Sequence, residues 1–131
     1  MKPEWESAAK HGDVAAICAM LEAGADLNSR DSHGQTAIML AAHLGDEAVV
    51  RALIDAGADL NQRAKFGLTA TMLAVVSGHE AVATLLAEAG ADLGLRGSGA
   101  PGFADKTAAD LARERGLEHL STILDPGSPA D

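Results

Sequence analysis

Apolar residues recur along the chain with the spacing of short amphipathic helices. In the segment 47–55 they form one face that runs from Val49 to Ile54. Asp46 precedes this segment and can cap its first turn, and Gly57 follows it in a position where the left-handed conformation ends helices. We therefore predict a helix over 47–55 that buries one side and exposes the other.

The same pattern of caps and apolar faces predicts eight helices in four pairs. The first helices of the pairs are predicted at 4–10, 37–43, 70–77 and 108–115. The second helices are predicted at 14–22, 47–55, 80–88 and 117–123. Isolated helices shorter than roughly 12–15 residues are marginal in water, so each must pack on its neighbours. We predict an all-α solenoid of four helix-turn-helix units with connecting β-turns.

An internal repeat supports this organisation. Gly-Ala-Asp-Leu-Asn occurs at Gly24–Asn28 and again at Gly57–Asn61, and Gly-Ala-Asp-Leu-Gly follows at Gly90–Gly94 with the same spacing. The last unit is lengthened by the Gly/Ser/Pro-rich insertion Gly97–Asp105, which is typical of a loop. The predicted units are about 1–30, 31–63, 64–96 and 97–124. Together they make a single domain over 1–124, followed by a disordered tail over 125–131.

Composition explains how such short helices can pack. Of the 131 residues, 47% are hydrophobic but only 2% are aromatic, and 28 are alanines. Alanine favours helix and allows neighbouring helices to approach closely. The pairs Ala8/Ala9 and Ala41/Ala42, and Ala74 in the third unit, are predicted to lie where the first helices of adjacent units touch.

Charge and cysteine content restrict the partners. The net charge of -9 disfavours binding to phosphate backbones, so we expect no nucleic-acid partner. No apolar stretch is long enough for a membrane span, and the segment 1–10 has no signal-peptide pattern. The single cysteine, Cys18, excludes an intramolecular disulfide. We expect a cytoplasmic protein that does not engage membranes.

The repeated segment resembles an ankyrin repeat. Asp31–Asn61 carries the pattern most fully, and the resemblance extends over residues 4–124. The chain departs from the family's Thr-Pro-Leu-His tetrapeptide with Thr36-Ala-Ile-Met39, Thr69-Ala-Thr-Met72 and Thr107-Ala-Ala-Asp110. We expect Met39 and Met72 to fill the corresponding space with apolar atoms. The alanine-rich sequence suggests a small stand-alone protein of bacterial origin.

The resemblance implies a function in protein–protein interaction. Partners of ankyrin stacks commonly bind the concave face, which the turn tips and the first helices line. The first and last units are expected to act as caps, and Trp5 is expected to cover the first helix as a hydrophobic lid. We expect no catalysis, no cofactor and a monomer, although pairing of two copies through an apolar patch or an incompletely capped end stays open.

Mapped onto this chain, the concave face gives a set of candidate contacts. Phe66 and Leu68 flank Gly67 on a tight turn, where polar residues are expected, so they predict an apolar anchor inside a polar rim. The alternative is that Phe66 folds back onto a neighbouring turn. Phe103, in the insertion, either adds a contact or pins the loop on the last unit. The candidate protein-binding residues are His33, Gln35, His43, Leu44, Lys65, Phe66, Leu68, Val76 and Ser77.

Two other functions remain open from the sequence. The acidic balance is compatible with a regulatory inhibitor that masks a basic surface. The second function is that of an accessory subunit of an enzyme. It would carry a weak metal site at His11 and His43, beside a carboxylate such as Asp46. The next unit has Val76 and Ser77 at the equivalent positions, so this metal cluster is incomplete. The serines and Cys18 lie in no pattern typical of a nucleophile.

Overall fold

The computed structural model describes residues 2–98 and 102–125. Eight α-helices and one 3₁₀ turn, Lys65–Gly67, lie within this part of the chain. The helices are α1 (Pro3–His11), α2 (Val14–Glu22), α3 (Ala37–Leu44), α4 (Glu47–Asp55), α5 (Ala70–Val76), α6 (Glu80–Glu88), α7 (Ala108–Glu114) and α8 (Glu118–Leu124). All eight predicted helices are present. Of the predicted tail only Asp125 lies among the described residues.

The helix boundaries follow from capping. The Asp46 carboxylate accepts a hydrogen bond from the Val49 amide at 3.2 Å and starts α4. The Thr69 hydroxyl accepts from the Met72 amide at 3.3 Å and starts α5. At the end of α3, Gly45 adopts the left-handed conformation with φ 77°, which other residues rarely adopt. Polar caps and glycines therefore set helix lengths that propensity alone would leave open.

The helices form two layers. The inner layer contains α1, α3, α5 and α7, and the outer layer contains α2, α4, α6 and α8. Neighbouring helices approach more closely in the inner layer, because small side chains such as Ala42 and Ala74 are fully buried there. This closer packing agrees with the expectation that the inner side is concave, and that side is called the concave face below. Each loop residue is assigned to the layer of the helix that it adjoins. The inner layer then comprises 2–12, 29–45, 62–78, 95–98 and 102–116, and the outer layer comprises 13–28, 46–61, 79–94 and 117–125.

One continuous core runs between the two layers. Ile17, Leu53 and Leu86 on the outer helices are fully buried against it. Met39 and Met72 on the inner helices are 1% exposed, which confirms that they fill the space apolarly. The Met39 sulfur also accepts a weak hydrogen bond from the Thr36 amide at 3.4 Å. None of the described helices combines the length and apolar character that crossing a membrane requires.

Trp5 lies at the N-terminal end of this core. Its side chain is only 3% exposed, as expected of a lid on the first helix. The first unit therefore closes the stack with one large side chain where later units have a neighbour.

The repeated Gly-Ala-Asp-Leu-Asn segments connect successive units. Each aspartate bonds its own turn, as Asp59 does by accepting from the Asn61 amide at 2.9 Å. Each asparagine then reaches the next unit: Asn28 accepts from the Asp59 amide at 3.0 Å, and Asn61 accepts from the Asp92 amide at 2.7 Å. The repeat therefore encodes a side-chain bond from one loop to the next.

Candidate functional site

Phe66 lies at the tip of the 3₁₀ turn in the third unit and has an unusual backbone conformation. Its φ is 63° and its ψ is 20°, in the left-handed region that non-glycine residues seldom occupy. Its carbonyl oxygen accepts a hydrogen bond from the Ser98 amide at 2.6 Å, which helps to hold this conformation. The side chain is 38% exposed. The turn thus presents an aromatic ring toward solvent at the cost of backbone strain.

The Phe66 ring packs on Phe103 of the insertion. The two ring centroids lie 6.1 Å apart with an interplanar angle of 30°, and the Lys65 ammonium lies 5.1 Å from the Phe66 centroid. Phe66 therefore gains a partner while part of its ring stays exposed. Phe103 therefore ties the insertion to the turn of the third unit. Residues 99–101, including Pro101, lie outside the described part of the insertion.

The prediction that Leu68 faces solvent is wrong. Leu68 is 7% exposed and belongs to the core. It follows the 3₁₀ turn in an extended conformation, and its carbonyl oxygen accepts from the Ala64 amide at 2.8 Å. A hydrophobic residue directly before an N-cap, here Thr69, commonly packs onto the start of the helix. Leu68 therefore supports the turn from below and is not part of its exposed surface.

Four predicted residues lie at the ends of α3 and α5, and two of them are in contact. The Ser77 hydroxyl and the His43 Nδ1 lie 2.9 Å apart, a hydrogen bond that joins the second and third units. Leu44, next to His43, is 50% exposed, whereas Val76 is half-buried and packs against the core. This part of the inner layer therefore combines one exposed apolar side chain with a fixed polar pair.

The turn of the second unit holds the remaining two predicted residues. The Asp31 carboxylate accepts hydrogen bonds from the His33 amide at 2.8 Å and from the Gln35 amide at 2.9 Å. The His33 side chain is exposed and Gln35 is half-buried. Because Asp31 holds the backbone of this turn, His33 projects from a rigid support.

Exposed apolar surface concentrates on the inner layer. Among the described residues, Leu44 and Phe66 are the large hydrophobic side chains that remain exposed, and both were predicted as contacts. Scattered exposed apolar residues are ordinary in monomeric proteins, but here the two lie on successive units of one concave side.

Charge is divided between the two layers. The outer layer holds twelve Asp and Glu residues against one basic residue, Arg51, for a net charge of -11. The inner layer holds nine Lys and Arg residues against six Asp and Glu residues, for a net charge of +3. The negative charge of the whole chain therefore resides on the outer side. The concave face is mildly basic.

The carboxylates of the inner layer are largely occupied. Glu6 pairs with Lys10 at 3.1 Å, and Asp110 pairs with Arg113 at 3.1 Å. The pKa of Asp110 lies below its usual range, chiefly because the Thr107 amide donates a hydrogen bond to its carboxylate, and partial burial opposes this shift. Among the described residues, no ion pair involves Arg63 or Lys65.

Arg30 is a structural residue that the sequence analysis missed. One of its guanidinium nitrogens, Nη1, donates to the Gly34 carbonyl oxygen at 2.7 Å and to the Arg63 carbonyl oxygen at 2.6 Å. It therefore links the turns of the second and third units. The signal was present in the sequence, since Arg30, Arg63 and Arg96 recur with the period of the repeat.

The histidines do not converge on a metal site. Among the described residues, no group of three or more His, Cys, Asp or Glu side chains is placed to hold a metal ion. His11 Nδ1 donates to the Ser7 carbonyl oxygen at 2.8 Å, and the Asp46 carboxylate caps α4. His11 also lines an open depression of about 440 Å³ at the N-terminal end of the stack, away from the concave face. These bonds assign both groups to local structure.

Comparison with known proteins identifies the repeat. A family model for ankyrin repeats, comprising three copies, matches residues 6–96. No protein with a curated description matches the chain. The matched region includes the turns of the second and third units and the exposed Leu44 and Phe66.

Proposed function

Because the chain belongs to the ankyrin-repeat family, whose members are generally protein–protein interaction modules, we propose that it binds a partner protein through its concave face. The observation that carries this proposal is the exposure of Phe66 in a strained conformation. A left-handed non-glycine residue costs on the order of 1–2 kcal/mol, and such strain clusters at binding sites. Leu44, His33 and Lys65 supply the neighbouring apolar and polar contacts.

In this proposal the chain acts by binding and performs no catalysis. Phe66 and Leu44 are the anchors, and the rim residues His33, His43 and Lys65 set the orientation of the partner. Leu68 and Val76 act indirectly, because they support the turn and the end of α5 from within the core. We also place the protein in the cytoplasm, where the exposed thiol of Cys18 would remain reduced.

Site-directed photo-crosslinking in the source cell tests this function. A photoreactive residue at position 44 or 65 lies on the inner layer, and one at position 51 lies on the outer layer as a matched control. We expect a crosslinked partner of defined mass from positions 44 and 65 only. Phe66→Asn should weaken this crosslink strongly, since asparagine tolerates the left-handed conformation and removes only the ring.

Equal crosslinking from position 51, or crosslinks that persist unchanged in Phe66→Asn, would contradict binding through the concave face. A circular-dichroism melt of Phe66→Asn should stay within a few degrees of the unsubstituted chain, because relief of backbone strain offsets the lost ring contact. This melt separates a binding defect from a folding defect.

A second candidate function is that of an inhibitor that masks the basic surface of a partner. The division of charge favours docking of this partner on the outer layer. The acidic residues lie on the outer layer, so a basic partner would dock there and not in the concave face. This candidate predicts crosslinks from position 51 that weaken steeply between 0.05 and 0.5 M salt, about ten to a hundredfold for several ion pairs.

A further inference from the structure

The inner segment 62–78, which includes the turn that exposes Phe66, carries a local excess of positive charge. It contains Arg63 and Lys65 and no Asp or Glu. Among the described residues, neither of these two side chains has a carboxylate within 4.0 Å. In contrast, Lys106 and Arg113 in the last unit are paired with Glu114 and Asp110. Two cations without a carboxylate partner among the described residues therefore lie beside the turn that exposes Phe66.

We propose that the concave partner presents an acidic segment with an aromatic side chain, and that the turn of the third unit receives it. This inference rests on the proposed function and names the chemistry of the partner. Its carboxylates would pair with Lys65 and Arg63. The Arg63 guanidinium can donate to both oxygens of one carboxylate. Its aromatic ring would extend the stack that Phe66 and Phe103 already form.

The net charge of the chain does not oppose this choice at physiological salt. Each helix layer is about 10 Å thick, so the carboxylates of the outer layer lie more than one screening length, about 8 Å at 0.15 M salt, from a ligand on the inner layer. The partner then senses chiefly the inner layer, whose net charge is +3. A nucleic acid is less well suited, because it needs many cations along its backbone and the third unit supplies only two at this turn.

The test is a titration of the ¹⁵N-labelled full chain, at 0.15 M salt, with three eight-residue peptides. One has the sequence Glu-Asp-Glu-Trp-Leu-Glu-Asp-Glu, the second has Lys at every acidic position, and the third is acidic but has Ala in place of Trp-Leu. We expect the first peptide to bind at least fivefold more tightly than the other two. Its amide shifts should centre on Lys65, Phe66 and Ser98.

Two charge reversals provide a matched control. Lys65→Glu and Arg51→Glu change the net charge equally, but Lys65 lies at the turn and Arg51 lies on the outer layer, and both are exposed. We expect Lys65→Glu to weaken the acidic aromatic peptide about five- to tenfold and Arg51→Glu to weaken it less than twofold. Equal effects of both variants would show that only net charge matters and would overturn the proposal.

Other outcomes separate this inference from the proposed function. No binding of the acidic aromatic peptide at 1 mM, tighter binding of the lysine peptide, or tighter binding of a twelve-nucleotide single-stranded DNA would each overturn the inference. If crosslinks from positions 44 and 65 persist in any of these cases, the concave face still binds a protein, but one of different chemistry. If those crosslinks are lost as well, both the inference and the proposed function are wrong.

Discussion

The imidazole ring of His79 lies directly against the backbone of Gly45 in the preceding unit. A Cβ atom on Gly45 would come within 2.8 Å of three ring atoms, and the His79 Nε2 donates to the His43 carbonyl oxygen at 3.0 Å. Asp46 has the same relationship to Gly12. The residue that begins an outer helix thus packs on the glycine that ended the inner helix of the unit before it.

This contact predicts unequal effects of two alanine substitutions. Gly45 and Gly78 both have positive φ, 77° and 80°, but no atom of the described residues beyond its chain neighbours lies within 4 Å of a Cβ on Gly78. We expect Gly78→Ala to lower the free energy of unfolding by about 1 kcal/mol, from backbone strain alone. Gly45→Ala should cost about 2–4 kcal/mol, because the His79 ring must also move. Urea unfolding of both variants measures the difference, and equal costs would refute the contact.

Thr71 predicts a stabilising substitution. It is 2% exposed, and its hydroxyl has no hydrogen-bond partner among the described residues. Ile38 occupies the equivalent position of the second unit. Thr71→Val keeps the shape and removes the unpaired hydroxyl, so we expect the free energy of unfolding to rise by about 1 kcal/mol. Thr71→Ser, which keeps the hydroxyl, should not stabilise. A lower melting temperature for Thr71→Val would mean that the hydroxyl is satisfied.

Alanine substitutions of Leu68 and Leu44 should affect different properties, the first mainly stability and the second mainly partner binding. Leu68→Ala removes a buried side chain and should lower the free energy of unfolding by about 2–4 kcal/mol. Leu44→Ala removes a half-exposed side chain and should change it by less than about 1 kcal/mol, while weakening the partner crosslink. Thermal melts together with crosslinking yields distinguish support of the turn from contact with the partner. A stable Leu68→Ala variant would contradict its assignment to the core.

Asp110 predicts a pH-dependent contribution to stability. Its pKa is lowered in the folded chain, mainly by the hydrogen bond from the Thr107 amide and further by Arg113. A lowered pKa means that the stabilisation is present above the ordinary pKa of about 3.9 and is lost as the pH falls through the folded-state value. We expect Asp110→Asn to destabilise at pH 7 by about 0.5–1 kcal/mol, and the difference to vanish in acid. Glu88→Gln controls for the change in net charge.

Much of the fold follows from local signals in the sequence. Asp46, Thr69 and Gly45 act as caps through their own side chain or backbone, so the bounds of α4 match the prediction and those of α3 and α5 differ by one residue. Cys18 in α2 is exposed, as is Arg51 at the corresponding position of α4. These features depend on residues close together in the chain, and the repeat supplies them three times.

The candidate site was less predictable, because it depends on the 3₁₀ turn and the insertion. Leu68 was misplaced because the turn at Lys65–Gly67 changes the direction of the residue that follows it. The contact of Phe66 with Phe103 crosses a loop with no counterpart in the other units. The repeat period of the sequence therefore could not predict the path of this loop. The division of charge, however, could have been read from the sequence once the two layers were assigned.

The bonds from one Gly-Ala-Asp-Leu loop to the next end at Gly94, which has no side chain where Asn28 and Asn61 have one. In a stack of repeats, stability is a sum over units and the interfaces between neighbours. The final interface lacks one such bond, so α7 and α8 open at lower cost than α3 and α5. Amide hydrogen exchange should then run faster in α7 and α8 than in α3 and α5.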